Sequence, residues 1–399
     1  MDIGFGEALL LFGGLLAVVA GLSGVMKGTV LSASVLSVAL GIALAAFGIV
    51  DVDPKDRSIV ELIELALIVT LFSDGMFVER ELLRRHWSPV ARALVIAMPI
   101  TMALLALAAK ALFPDLSWAE AFLLAAVLSP TDPVVTSAVV TSRLVPSAVR
   151  HTLNLESGLN DGLALPFVLF FLVLATPGGE AGTEAAKLAG EAAVGAIIGV
   201  GLGYLGGRFH HRLPGGGLTA RYEGIYAIGF ALLAFGLADV TFGNGLIAAF
   251  VCGIAMGATE REVPDGFVEF AENASAILQV ITFFVFGALI VATGFAHSIP
   301  PLVVFVAFAL LLARPLAVML SFMRTGIPES QKLFMAWFGP KGVASMLFAL
   351  FVLKSKVDEG ELIFDVAAIA IIASIVAHGL TDTVGARWMA RRVGLDKSG

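Results

Sequence analysis

Charge is what this sequence has least of. Asp, Glu, Lys and Arg make up 14% of its 399 residues and 58% are hydrophobic, where an average soluble domain is about 25% charged. A soluble globule has no use for that much apolar surface, which excludes a cytosolic enzyme, a disordered protein and a secreted module. Cysteine is nearly absent as well. The one thiol, Cys252, lies in an apolar run, so no disulfide can close within the chain and no thiolate cluster is available to a metal. The opening Met1-Asp2 lacks the basic stretch of a secretory signal, so the first apolar run reads as a retained span. The period-two alternation of barrel strands is missing too. What remains is an all-α polytopic membrane protein.

A helix needs about 20 apolar residues to cross the hydrocarbon core. The sequence predicts thirteen spans, over 4–25, 30–50, 59–78, 89–113, 117–142, 146–175, 185–210, 219–238, 243–259, 267–294, 298–322, 329–353 and 361–384. The basic residues orient them. With the N-terminus outside, the inner side holds Lys27, Arg80, Arg84, Arg85, Arg92, Arg143, Arg150, Arg208, Arg212, Arg221, Arg261, Arg324, Lys332, Arg387, Arg391, Arg392 and Lys397. The outer side holds only Lys55, Arg57, Lys110, Lys187, Lys354 and Lys356. That bias is the positive-inside pattern, and it puts the C-terminus in the cytoplasm of a plasma (inner) membrane. No gap between spans is long enough for a soluble domain. The basic tail suits anionic lipid, and nothing suggests nucleic acid.

Charges inside spans are functional hypotheses by default. Glu7, Glu61, Glu223 and Glu269 read as interfacial, Glu64 and Glu272 as slightly deeper. Asp74, in Phe72-Ser73-Asp74-Gly75, reads as a helix-end or water-facing group. His210-His211 reads as a solvated pair, and His378 as a packed imidazole near the inner end of the last span. Two segments resist such readings. In the fifth span, Ser129-Pro130-Thr131-Asp132-Pro133 removes two backbone donors, so the helix should break mid-membrane and its freed groups must find partners. In the sixth, Ser157 and Asp161 share one helix face and Glu156 and Asn160 the next. These oxygens suit a hard alkali cation, with no His or Cys present for a transition metal.

The twelfth span echoes the fifth, with Phe338-Gly339-Pro340-Lys341-Gly342 at its middle. Interrupted helices at corresponding positions of two halves point to a transporter site built from inverted repeats. Spans 1–6 and 8–13 would be the repeats, with span 7 the linker that inverts the second. Asp132 and Lys341 would compensate the facing half-helix ends. Arg314, followed by Pro315, needs an acidic partner, and Glu156 fits by depth and elimination.

At these residues the sequence resembles the NhaP-type sodium/proton antiporters and exchangers of the monovalent cation/proton antiporter superfamily. The resemblance implies dimerisation helices in 1–88 and 214–296, a mobile core in 89–176 and 297–385, a linker helix in 177–213 and a short cytoplasmic tail in 386–399. It implies a homodimer whose Asp161 binds Na+ (or Li+) and H+ in turn. Thr131, Asp132 and Ser157 would complete the ion site, Asn160 would hold it together, and Glu156 would pair with Arg314. Asn160 before Asp161 favours electroneutral one-for-one exchange. Lys341 departs from the arginine common in that motif, a point charge in place of a fork. No cofactor is expected. Of the alternatives, a K+/H+ antiporter needs only a different cavity size. An intramembrane aspartyl protease would pair Asp132 with Asp161 but needs neither Lys341 nor symmetric breaks. A passive channel would conduct without proton coupling.

Overall fold

A computed structural model describes residues 5–26, 33–53, 56–76, 87–132, 139, 142–177, 181–209, 219–259, 265–293 and 299–394. Pro133, His210, His211, Lys27, Lys55, Arg80, Arg84, Arg85, Arg212, Arg261 and Lys397 lie outside them, as do the side chains of Glu269 and Glu272. Every regular element among the described residues is helical. The first half holds α1 (Phe5–Met26), α2 (Ala33–Ala46), α3 (Arg57–Met76), α4 (Trp87–Leu112), α5 (Trp118–Val127) and α6 (Ser147–Ala175). Then come α7 (Ala181–Phe209), α8 (Ala220–Val240), α9 (Gly245–Thr259) and α10 (Asp265–Thr293). The last are α11 (Ile299–Ser321), α12 (Glu329–Trp337), α13 (Val343–Lys354) and α14 (Gly360–Val393). By length and composition α4, α6, α7, α8, α11 and α14 can each cross a membrane, and shorter apolar stretches fall in α1, α2, α5, α9, α10 and α13. Glu7 and Glu61 are exposed, and Glu64 and Glu223 half-buried.

In a lipid-like setting helices gain little from hydrophobicity alone, so they approach through small residues that let backbones touch. That rule organises half of the molecule. Gly195, Gly199 and Gly203 of α7 lie one turn apart, and a β-carbon at each would overlap the backbone of Asn244, Ala248 or Cys252 along α9. The opposite side of α9 meets α3 the same way, Gly75 against the Phe250 carbonyl and Gly253 against that of Phe72. Helices α2 and α10 close on each other at Gly41 and Gly287. Helices α1 and α8 pack on these elements, and α4, α5, α6, α11, α12, α13 and α14 pack mainly on one another.

Helix α5 starts on a capping box. Ser117 Oγ accepts the Glu120 amide at 3.2 Å and the Glu120 carboxylate accepts the Ser117 amide at 2.7 Å. The second oxygen of Glu120 accepts the Glu359 amide at 3.1 Å, tying α5 to the start of α14. The helix ends at Val127, just before Ser129-Pro130, and residues 129–132 leave helical geometry. The second interruption runs from Phe338 to Gly342 between α12 and α13.

Two helices carry a matched irregularity. A five-residue π-turn occupies Ala93–Ala97 in α4 and another Ala309–Ala313 in α11. Both have the pattern Ala-Leu-x-x-Ala-x-Pro, ending at Pro99 and Pro315. A proline cannot donate to the turn behind it, and widening that turn rehouses the freed carbonyls.

Helix α14 continues past the last predicted span to Val393 and stops at Gly394 in the left-handed region, φ 75°, so residues 386–393 of the expected tail are helical. Nothing before Gly394 breaks the helix; Ala386 and Met389 bury themselves in the Phe334 and Phe338 cluster, and Ala390 is buried as well. Hydropathy marks where charge begins, not where a helix ends. His378, expected as a packed imidazole, is buried beside Trp337 at the start of the second interruption.

Candidate functional site

The two interruptions cross. The Asp132 amide donates to the Pro340 carbonyl at 2.8 Å, joining one break to the other through backbone alone. The Asp132 carboxylate accepts the amide of Val343 at 3.4 Å, at the first residue of α13. It therefore faces the positive end of that half-helix. Lys341 Nζ donates to the Pro130 carbonyl at 3.2 Å, just past the C-terminal end of α5, where a cation offsets the negative end. At Gly342 the two interrupted segments touch: a β-carbon there would overlap the Asp132 side chain.

Helix α6 brings the oxygen-rich face to this crossing. Asn160 clamps Thr131 twice. Its amide nitrogen donates to Thr131 Oγ1 at 2.6 Å and its carbonyl oxygen accepts the Thr131 amide at 3.3 Å. Thr131 Oγ1 lies 3.1 Å from Ser157 Oγ. Thr131, Asp132, Ser157, Asn160 and Asp161 are all 7% exposed or less. Asp161 stands apart from them, because its Oδ1 is buried without a hydrogen-bond partner. Its charged neighbours are Asp74, Asp132 and Lys341. Asp74 comes from α3, where it is half-buried and touches α6 at Gly158.

On the other side of α6, Glu156 accepts two hydrogen bonds from Arg314, at 2.7 Å and 2.9 Å. The pair is almost fully buried, with side chains 7% and 11% exposed. Arg314 follows the π-turn of α11, and Gly339 makes room for it, since a β-carbon there would overlap the guanidinium. All eight residues singled out in the sequence thus gather around the two interruptions.

A family model described as "Sodium/hydrogen exchanger, transmembrane" matches residues 14–385. The chain belongs to this family. It is 27% identical to the K+/H+ antiporter NhaP of Alkalimonas amylolytica over 332 residues, 82% of this chain and 57% of that protein. It is 28% identical to a probable Na+/H+ antiporter of Schizosaccharomyces pombe over 310 residues, 73% of this chain and 40% of that one. The chain thus spans about half the length of the curated relatives it matches. The sodium proton antiporter MjNhaP1 from Methanocaldococcus jannaschii at pH 8 shares the fold. The TM-score is 0.76 at 22% identity, covering 96% of this chain and 98% of that one.

Sequence reasoning missed several residues. Ser374 of α14 accepts the Lys341 amide at 3.0 Å, and a lone serine in an apolar run gives no signal. Asp365 is a buried carboxylate in α14, 4% exposed. Arg92 donates to the Ser321 carbonyl at 2.7 Å, joining α4 to the end of α11. Its place at a span edge made it look merely topological.

Proposed function

We propose that this exchanger-family chain is a secondary antiporter that exchanges Na+ (or Li+) for H+ across the plasma membrane, cation and proton competing for Asp161. The observation that carries this is the Asp161 Oδ1, buried with no hydrogen-bond partner among the described residues, on the helix face of Ser157 and with Asp132 and Lys341 of the crossing among its charged neighbours. Hydroxyl and carboxylate oxygens from Thr131, Asp132, Ser157 and Asp161 are the donor class a hard cation takes. A proton or a monovalent cation on Asp161 leaves the same net charge. Moving the loaded site is then cheap, whereas an empty buried carboxylate resists movement. Exchange follows without a separate gate. Asp132 is committed to the α13 terminus and Asn160 carries no charge, so one carboxylate is exchanged and turnover is electroneutral. The same engagement of Asp132 removes the second free carboxylate an aspartyl protease would require.

The architecture that goes with this is thirteen spans, N-terminus outside and C-terminus cytoplasmic, in two inverted six-helix repeats. The repeated π-turn and proline, ending at Pro99 in α4 and at Pro315 in α11, support the pairing of spans 4 and 11. Residues 1–88 and 214–296 would form the dimerisation helices of a homodimer, 89–176 and 297–385 the moving core, and 177–213 the linker.

A second reading is K+/H+ exchange, favoured by the K+/H+ name of the Alkalimonas relative. Both cations use the same donors. The test is purified protein in proteoliposomes, with a pH jump in the presence of Na+, Li+ or K+. Proton flux driven by Na+ and Li+ supports the first reading, and flux driven by K+ alone replaces it with the second. Cation flux that moves no protons refutes both and leaves a channel.

A further inference from the structure

The second interruption is held from one side by the crossing at Asp132 and from the other by α14, and the second hold has no role in what precedes. Breaking a helix inside a membrane frees donors and acceptors that water cannot serve. Between α12 and α13 these include the Trp337 carbonyl, at the C-terminal end of α12, and the Lys341 amide. Two residues of α14, one turn apart, meet both. Ser374 Oγ accepts the Lys341 amide at 3.0 Å. His378 Nε2 lies 2.9 Å from the Trp337 carbonyl. The two side chains also meet each other, His378 Nδ1 lying 3.2 Å from Ser374 Oγ and 2.7 Å from the Ser374 carbonyl. Ser374 is fully buried and His378 is 2% exposed. The imidazole is wedged against Trp337, ring centroids 5.2 Å apart, and Phe338, 6.4 Å.

We infer that Ser374 and His378 form a splint, a pair of positioning residues that fixes the backbone of the second interruption and through it the ion site. The chain of contacts is short. The splint sets Trp337 and Lys341. Pro340 lies between them and accepts the Asp132 amide. Asp132 adjoins Thr131, which Asn160 and Ser157 engage. A shift of the 338–342 segment therefore reaches the cation ligands directly. The two ring nitrogens face carbonyl oxygens of Trp337 and Ser374, and a neutral imidazole donates to one of them at a time, to Trp337 from Nε2 or to Ser374 from Nδ1. Nothing else on α14 offers the interruption this donor and acceptor pair among the hydrogen bonds described.

This rests on the antiport reading, so the experiment has one arm that does not. In proteoliposomes, His378→Ala and Ser374→Ala should raise the apparent KM for the transported cation by about tenfold, roughly what losing one buried hydrogen bond implies. His378→Gln, whose amide keeps both a donor and an acceptor, should recover most of it. Phe364→Leu, a truncation of a buried side chain on the same helix nearly three turns before Ser374, where it packs on Phe286 of α10, should lower the melting temperature without changing KM. If the His378 and Ser374 variants behave like Phe364→Leu, or if His378→Gln is as impaired as His378→Ala, the splint is wrong. The independent arm is amide hydrogen exchange of the 338–342 segment, expected to quicken in Ser374→Ala but not in Phe364→Leu. Unchanged exchange there overturns the splint whatever is transported. Wild-type protein that moves no cation against protons refutes the antiport reading alone.

Discussion

Asp132 and Pro340 share a hydrogen bond of 2.8 Å, the amide of one interruption donating to the carbonyl of the other. Each break thereby supplies a partner for a backbone group the other has freed. The same contact fixes the charges. Asp132 reaches the amide of Val343 and Lys341 reaches the carbonyl of Pro130, so each charged side chain offsets the helix end contributed by the opposite half. Neither break would be tolerable alone in a bilayer, since unsatisfied backbone groups there cost several kcal/mol each.

This closeness is felt at Gly342, where the two breaks touch. A methyl group there must displace the Asp132 side chain. Gly342→Ala should therefore lose about 1–3 kcal/mol by overpacking, read as a lower melting temperature in detergent. Gly326, whose added β-carbon would meet open space, is the control. Equal melting temperatures for the two alanine variants would mean that the breaks are not in contact.

Asp161 is the acid with a buried oxygen that has no hydrogen-bond partner among the described residues. Asp161→Asn keeps the shape and removes the exchangeable charge. The variant should fold and elute as the wild type does, yet show no cation-driven proton flux. Measurable coupled exchange from the folded variant would move the binding carboxylate elsewhere, with Asp74 the first candidate.

Competition between a proton and a cation for one carboxylate has a signed pH dependence. As pH falls, protons occupy the site and the apparent KM for the cation must rise. With a single competing proton the steepest rise is about tenfold per pH unit, the limit of one-proton linkage. The saturated cycle carries no net charge, so an imposed membrane potential should leave steady-state gradients unchanged. A slope approaching two protons, or a gradient that follows the voltage, would show that a second carboxylate takes part.

How much of this was readable beforehand depends on the residue type. Pro130 and the Gly339-Pro340 pair announce broken helices because proline acts on backbone geometry locally, whatever surrounds it. Charges announce themselves because the membrane makes them expensive, which is how Asp132, Asp161, Glu156, Arg314 and Lys341 stood out. Ser374 did not, since a serine can satisfy itself on its own helix and costs little wherever it sits. The last turns of α14 were hidden for a different reason. Arg387, Arg391 and Arg392 end the apolar run but favour a helix C-terminus, so charge and helix part company there. The Ala-Leu-x-x-Ala-x-Pro repeat of α4 and α11 was legible throughout. It went unread because its apolar positions look like any other stretch of span.

Glu156 and Arg314 provide the sharpest energetic test. Their two hydrogen bonds of 2.7 Å and 2.9 Å are buried, and each group's formal charge has the other as its direct partner. Removing one member of a buried pair strands the other, at a typical cost of about 3–5 kcal/mol. Arg314→Ala and Glu156→Ala should each destabilise the protein on that scale. The double variant leaves neither charge stranded and should lose far less than the two combined. Lys341 acts on the two arms in opposite directions, because it has both Arg314 and Glu156 as charged neighbours. Losing Arg314 leaves Lys341 to shield Glu156, whereas losing Glu156 leaves two cations facing each other. Glu156→Ala should therefore be the worse single change. A double-mutant cycle on thermal stability in one detergent reads all three values. Losses additive within about 0.5 kcal/mol would mean that each residue is held by a different partner, and that the pair does not act as a unit.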